Sequence, residues 1–282
     1  MQLFKYVRMS VLCVTVLALF LYQQENTKGV LRVTFLDVGQ GDSILIETAH
    51  GVRVIVDGGK DATVLQRLGR ALPLFDRRID VLIATHPDAD HVGGLASIVE
   101  RYRVGTVYYS PMKHNTPEVT LFETALLQAR TLPQSLRSGD VLVLDAETSL
   151  HILHPDWVDE NGETNDSSVV ARLVYRNSSV LLTGDASSDI EYTLAARYGA
   201  ALKSSILKLG HHGSSSSSSE VFLKFVHPEH AIISRGCDNT YGHPHPSVIA
   251  RLKDDGISSV DTCVDGTVAF ESDGEHFSID TW

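Results

Sequence analysis

The sequence has little cysteine, little positive charge and no long uncharged apolar run beyond its N-terminus, and each scarcity narrows what the protein can be. Its three cysteines, Cys13, Cys237 and Cys263, are too few and too scattered for a disulfide framework, and none lies in a Cys-x-x-Cys pair. They leave open either a single Cys237–Cys263 disulfide or two unpaired thiols. Lys and Arg number 24 against 35 Asp and Glu, for a formal net charge of −11. That balance excludes a broad basic surface for nucleic acid, so a polyanionic substrate must be held mainly at a local site where a metal offsets charge. The one long apolar run, Met9 to Tyr22, follows Lys5 and Arg8 and precedes the polar "QQENTKG". It has the form of an export signal or signal anchor, and from Phe4 to Tyr22 it nearly spans a bilayer if the basic residues snorkel. No small-x-small cleavage site follows, so an uncleaved anchor is expected ahead of a cleaved signal or a buried helix. The basic flank then stays cytoplasmic and the body lies outside the cytoplasm, or is secreted if the segment is removed. The expected division is residues 1–29 as anchor and linker and residues 30–282 as one domain.

What is present is a chain of 282 residues with 43% hydrophobic content, enough to bury a core. "LRVTFLDVG", "DSILIET" and "VRVIVDGG" suggest a small antiparallel meander. Helical patterns in "ATVLQRLGRAL", "VGGLASIVERY" and "EVTLFETALLQAR" then alternate with the apolar strands "IDVLIATH" and "VGTVYYS". "SSVVARLVYRNSSVLLTGD" predicts a hairpin about Arg176-Asn177-Ser178. It is followed by the helix "SSDIEYTLAARYG", the strand "SSILKLG" and further alternation to the C-terminus. Two such halves fit a four-layer α/β/β/α sandwich. The unbroken serine run Ser214 to Ser219 is expected to be a mobile loop.

Chemistry concentrates in "THPDADHVGG", where His86, Asp88, Asp90 and His91 leave a buried strand on a turn. Imidazole nitrogens with carboxylate oxygens suit Zn²⁺ or Mn²⁺, and each added carboxylate favours the harder ion. A helix cap would need only one of the acids. Asp185 ends the apolar strand "VLLTGD", His211 and His212 end "SILKLG", and His243 and His245 pair in "YGHPHP". On an extended chain adjacent side chains point oppositely, so His211 is expected to bind metal and His212 to orient substrate or neighbouring groups. His243 or His245 would supply a remaining ligand or a proton donor. Asp37, Gln40 and Asp42 read as scaffold or pocket-edge groups, and Asp57 as a carboxylate bonded to the metal loop. His151 and His154 read as structural.

"HPDADH" resembles the His-x-His-x-Asp-His signature of the metallo-β-lactamase superfamily, with Asp88 in place of the second histidine. The ordered set "FLDVGQGDSILI", "VDGG", "THPDADHVGG", "LLTGD", "LKLGHHGS" and "YGHPH" resembles the C-terminal domain of ComEC-type competence DNA-uptake channels, from about Leu31 to Trp282. The third ligand motif of the superfamily would fall at "TNDSSVV", where Asn165 and Asp166 stand without a histidine. The resemblance implies two divalent ions, Mn²⁺ or Zn²⁺, lined by His86, Asp88, Asp90, His91, Asp185, His211 and His243. Asp185 would bridge, and Asp90, Asp185, His212 and His245 would serve catalysis. It implies phosphodiester hydrolysis of DNA, with DNA-uptake machinery as a partner, while the N-terminal segment itself points to the membrane as another. A small ester, lactone or β-lactam is the alternative substrate, and a non-catalytic metal- or DNA-binding module the alternative class.

Overall fold

The computed structural model describes residues 29–111, 114–156 and 162–281. The expected anchor falls almost wholly on residues 1–28, outside the described residues; no helix among the described residues is long and apolar enough to cross a membrane. Numbered in chain order, the first sheet uses β1 (Leu31–Phe35), β2 (Ile44–Glu47), β3 (Arg53–Val56), β4 (Arg78–Ala84), β5 (Arg103–Tyr109), β6 (Gln134–Ser135), β14 (Val268–Ser272) and β15 (Phe277–Thr281). Their order is β15-β14-β1-β2-β3-β4-β5-β6. The second sheet, ordered β13-β12-β11-β10-β9-β8-β7, uses β7 (Val141–Val143), β8 (Thr148–His154), β9 (Val170–Tyr175), β10 (Ser178–Leu182), β11 (Ile206–Lys208), β12 (His230–Ile233) and β13 (Ser258–Asp261).

Side-chain alternation builds the layers. Ile44 and Ile46 of β2 and Val54 and Val56 of β3 meet Leu173, Val180 and Leu182 of the other sheet in the central core. Leu45 and Ile55, between them in sequence, face outward onto α1 (Thr63–Ala71), α3 (Leu95–Arg101) and α4 (Pro117–Gln128). On the far side Leu181 and Leu207 pack beneath α5 (Ser188–Tyr198), α6 (Glu220–Val226) and α7 (Pro246–Asp254). Strands covered on both faces read as continuous apolar runs, which is why both helix layers were legible as interruptions. The result is the expected α/β/β/α sandwich.

Three details depart from the sequence reading or settle it. The serine run is an ordered part of the fold: Ser217 and Ser218 are each 1% exposed, Ser219 caps α6, and the Glu191 carboxylate accepts the backbone N–H of Ser218 and Ser219, both at 2.6 Å. Small hydroxyls satisfy their own backbone locally here, which composition alone does not reveal. Strand β13, too weakly apolar to be expected, extends the parallel ladder of β10, β11 and β12. Cys237 and Cys263 form a disulfide, tying the segment after β12 to the short helix α8 (Thr262–Asp265).

Candidate metal centre

The chemistry-bearing residues gather where parallel strands end. Asp57 follows β3, the "HPDADH" turn follows β4, Asp185 follows β10, His211 and His212 follow β11, and Ser234 follows β12. The C-terminal ends of parallel strands are where open α/β sheets build sites. The turn passes into a short helix, α2 (Ala89–Val92), with Asp88 at the N-cap position, but the Asp88 side chain makes no capping bond. Its carboxylate is therefore not occupied by the backbone. Two glycines let neighbouring loops close on this turn. A Cβ on Gly41, whose φ is +104°, would lie 1.8 Å from the Asp90 carbonyl oxygen, and one on Gly94 would lie 2.1 Å from that of Gly58.

Three buried imidazoles converge with their Nε2 atoms free. His91 Nδ1 donates to Asp57 Oδ2 at 2.7 Å, and His212 Nδ1 donates to the Ser234 carbonyl at 2.7 Å. The Thr85 hydroxyl donates to Asp57 Oδ2 at 2.7 Å, so at 2.9 Å its oxygen accepts from His86 Nδ1. Each ring therefore spends its Nδ1 proton outward and aims Nε2 inward, the orientation that metal-binding histidines take. The Nε2 atoms of His86, His91 and His212 are buried without a hydrogen-bond partner. They surround one oxygen: Asp185 Oδ2 lies 3.2 Å from His212, 3.3 Å from His91 and 4.0 Å from His86. Asp90 Oδ2 is 3.3 Å from His212 Nε2, and Asp88 Oδ2 is 3.8 Å from His86 Nε2. Orphaned, converging nitrogen and oxygen donors are what a divalent cation requires, and the residues fit one.

The other oxygen of Asp185 is held by a lysine. Lys208 is wholly buried, 2.6 Å from Asp42 Oδ2, 3.3 Å from Asp185 Oδ1 and 2.8 Å from the Gly184 carbonyl. Alternation places it on the same face as Ile206, toward the central core, so only paired acids make its charge tolerable there. Burial opposes ionisation of Asp185, yet His212, His91 and Lys208 together hold it well below the ordinary carboxylate value. Burial likewise opposes charge on His91 and His212. The carboxylates outweigh it, Asp185 and Asp57 holding His91 well above the usual histidine value and Asp185 with Asp90 raising His212 to about 9. His86, where burial and the neighbouring His91 dominate, falls to about 4. A field that favours a proton on Nε2 also favours a cation there, and metal uptake releases that proton.

A sequence model of the metallo-β-lactamase superfamily matches residues 36–236. The chain belongs to that superfamily, a group of metal-dependent hydrolases. It is 28% identical to ComE operon protein 3 of Bacillus subtilis over 93% of this chain and 35% of that protein. It is 34% identical to competence protein ComA of Neisseria gonorrhoeae over 84% of this chain and 32% of that one. Recombination protein 2 of Haemophilus influenzae is 33% identical over 91% of this chain and 30% of its own length. The chain thus resembles ComEC-type competence proteins and spans about a third of the curated relatives it matches. Among solved structures, the metallo-β-lactamase fold protein YhfI of Bacillus subtilis superposes with a TM-score of 0.53 at 14% identity, covering 82% of this chain and 95% of that one. The metallo hydrolase Igni18 of Ignicoccus hospitalis gives 0.52 at 15% identity, covering 86% and 98%.

Against the superfamily pattern, the structure brings His86, Asp88, Asp90, His91, Asp185 and His212 together. It places the His211–His212 pair differently from the extended-chain expectation. Both residues have positive φ, 45° and 55°, so they do not simply alternate, and it is His212 that faces Asp90 and Asp185. His211 lies beside them with Nδ1 3.3 Å from Asn165 Nδ2, and its ring centroid is 5.3 Å from that of His243. His243 Nδ1 is buried without a partner; burial and His211 hold His243 down to about 4. His245 does not join them: its ring is exposed and its Nδ1 accepts from Ser247 N, capping α7. Asp166 Oδ1 accepts from the Ser187 hydroxyl, and His154 Nε2 bonds the Asp166 carbonyl, so both tie down the loop near Asn165. Gln40 donates to Asp90 Oδ2 at 3.4 Å, in keeping with a scaffold role. Lys208 was missed, although a lysine inside the apolar "SILKLG" was its signal.

Proposed function

We propose that the protein is a metal-dependent phosphodiesterase that cleaves DNA, and that the residues gathered around Asp185 would hold two divalent ions. The observation that carries this reading is the convergence of three unpartnered imidazole nitrogens on Asp185, with Asp88 and Asp90 at either side. His86 and Asp88 would hold one ion and Asp90, His91 and His212 the other. Divalent metal, when bound, supplies Lewis-acid polarisation of a phosphoryl oxygen and a more acidic water. The chain's own part is to fix the donors. Asp57 locks the tautomer of His91 directly and that of His86 through Thr85, while Lys208 turns Asp185 so that Oδ2 faces the imidazoles. His211 and His243 line the neighbouring edge as uncharged rings suited to hold a substrate hydroxyl or to accept a proton. With three carboxylates and no histidine at Asn165, the donor set favours Mn²⁺ over Zn²⁺.

The substrate reading rests on similarity to competence and recombination proteins, and on the acidic balance of the chain, which leaves phosphate recognition to the metal. The Cys237–Cys263 disulfide supports a body outside the cytoplasm, where oxidising conditions keep such bonds. The test is to incubate the purified protein with linear duplex and single-stranded DNA, with and without Mn²⁺, beside a lactone and a β-lactam. Mn²⁺-dependent DNA cleavage that Asp90→Ala abolishes is expected. Turnover of the small substrates alone, or cleavage that survives Asp90→Ala, would refute the reading.

A further inference from the structure

The edge opposite the metal centre carries a feature that hydrolysis does not use. The loop joining α1 to β4 projects Leu74, 79% exposed, and Phe75, 91% exposed. Arg77 and Arg101 line the same groove, of about 570 Å³, as these two side chains. Arg70 lies in the last turn of α1, and Arg103, at the start of β5, donates its backbone N–H to the Arg77 carbonyl at 2.8 Å. All four guanidinium groups belong to exposed residues, and none pairs with an acid among the described residues, whereas neighbouring Arg53 and Arg78 are tied to Asp76 and Asp80. In a chain of net charge −11, Arg77 and Arg101 beside two bare apolar side chains, with Arg70 and Arg103 at the same edge of the fold, make a local reversal of the protein's overall character.

Topology says what lies next to this loop. Strand β1 runs antiparallel to β2, and β2 to β3, so β1 points the same way as β3 and its parallel neighbours β4 and β5. The starts of β1, β4 and β5 therefore share one edge, while the metal-centre residues follow the ends of β3 and β4 at the other. Gly29, where the described chain begins, lines a groove of about 700 Å³ together with Pro73 of the projecting loop. The preceding residues, whose sequence holds the uncharged run Met9–Tyr22, join the body at this same edge.

We propose that the α1–β4 loop docks on an anionic lipid surface. Leu74 and Phe75 enter the headgroup boundary and Arg70, Arg77, Arg101 and Arg103 pair with lipid phosphates. The metal centre then faces away from the bilayer. DNA would find the same charges, but bound there it would lie at the wrong end of the sandwich to reach the metal centre, and it has no use for Leu74 and Phe75. The inference does not depend on the substrate and stands or falls separately from nuclease activity.

The test uses the full chain incorporated into vesicles containing phosphatidylglycerol, with F75W as a depth probe, read by quenching from lipids brominated on their acyl chains after subtraction of the two native tryptophans. Tyr192, on the exposed side of α5, supplies the control Y192W. The expected result is a blue shift and loss of the emission added by F75W, no change for Y192W, and weaker quenching of F75W when R77E/R101E is added. Emission from F75W that stays solvent-like and unquenched overturns the proposal, since these vesicles hold neither a second protein nor DNA. Equal quenching of F75W and Y192W overturns the orientation, and quenching untouched by R77E/R101E overturns the role of the arginines.

Discussion

Asp57→Asn is the sharpest probe of how the protein builds its centre. Asp57 is fully buried and its φ is 62°, a left-handed conformation that asparagine tolerates at least as well, so the substitution adds no backbone strain. Three donors face its carboxylate: the Thr85 N–H at 2.8 Å to Oδ1, and the Thr85 hydroxyl and His91 Nδ1, each at 2.7 Å to Oδ2. An amide has one acceptor and cannot serve both sides. With its oxygen toward Oδ2, its NH₂ opposes the Thr85 N–H, leaving a buried donor unsatisfied at a cost of about 1–3 kcal/mol. With its NH₂ toward Oδ2, His91 must accept at Nδ1 and carry its proton on Nε2, where the metal should bind. Either way, metal affinity should fall roughly 10- to 100-fold, the range for loss of such an outer partner, or about 1.4–2.8 kcal/mol. Titration of the metal-free protein with Mn²⁺, followed by calorimetry, reads this directly. Thermal unfolding in chelator gives the separate stability cost. Wild-type affinity in Asp57→Asn would refute the tautomer argument, whatever happened to stability.

Two further outcomes follow from buried charges. Lys208→Met should destabilise the fold by about 3–5 kcal/mol in urea unfolding, because Asp42 is left buried with its lysine gone, and adding Asp42→Asn should recover much of that loss; a small effect, or no recovery, would show that the pair is not coupled. Burial raises Glu191 from 4.5 to about 7 against the pull of the Ser219 and Ser218 N–H groups. Between those values the native state keeps a proton that the unfolded chain has lost, so stability should fall as pH rises from 4.5 to 7, by about 3 kcal/mol in all. Glu191→Gln should flatten that slope in urea unfolding across the window, and parallel curves for the two proteins would contradict it.

Much of this molecule was legible in its sequence because its signals are local. Alternation in "DSILIET" and "VRVIVDGG" and the helical runs between strands carry the sandwich, and "HPDADH" and "TGD" lie at strand ends where a turn can aim them. What escaped was set by distant partners or uncommon backbone. Lys208 is meaningful only beside Asp42, which the chain brings from the loop before β2. That His212 faces Asp90 and Asp185 escaped because non-glycine residues in left-handed conformations leave no mark on composition or periodicity. The serine run is fixed by Glu191, from a helix that itself reads as ordinary and amphipathic. His245 carried the right residue type in a suggestive motif, and its ring went to a helix cap.

Lys208 also decides what kind of metalloprotein this is. Small zinc domains collapse when stripped because the ion is their core. Here a covalently attached ammonium already neutralises part of the acidic cluster, and the three apolar clusters are complete without any metal donor. The centre is thus built as a socket, its walls held by the fold and not by an ion, so stripping a bound metal should leave the sandwich folded.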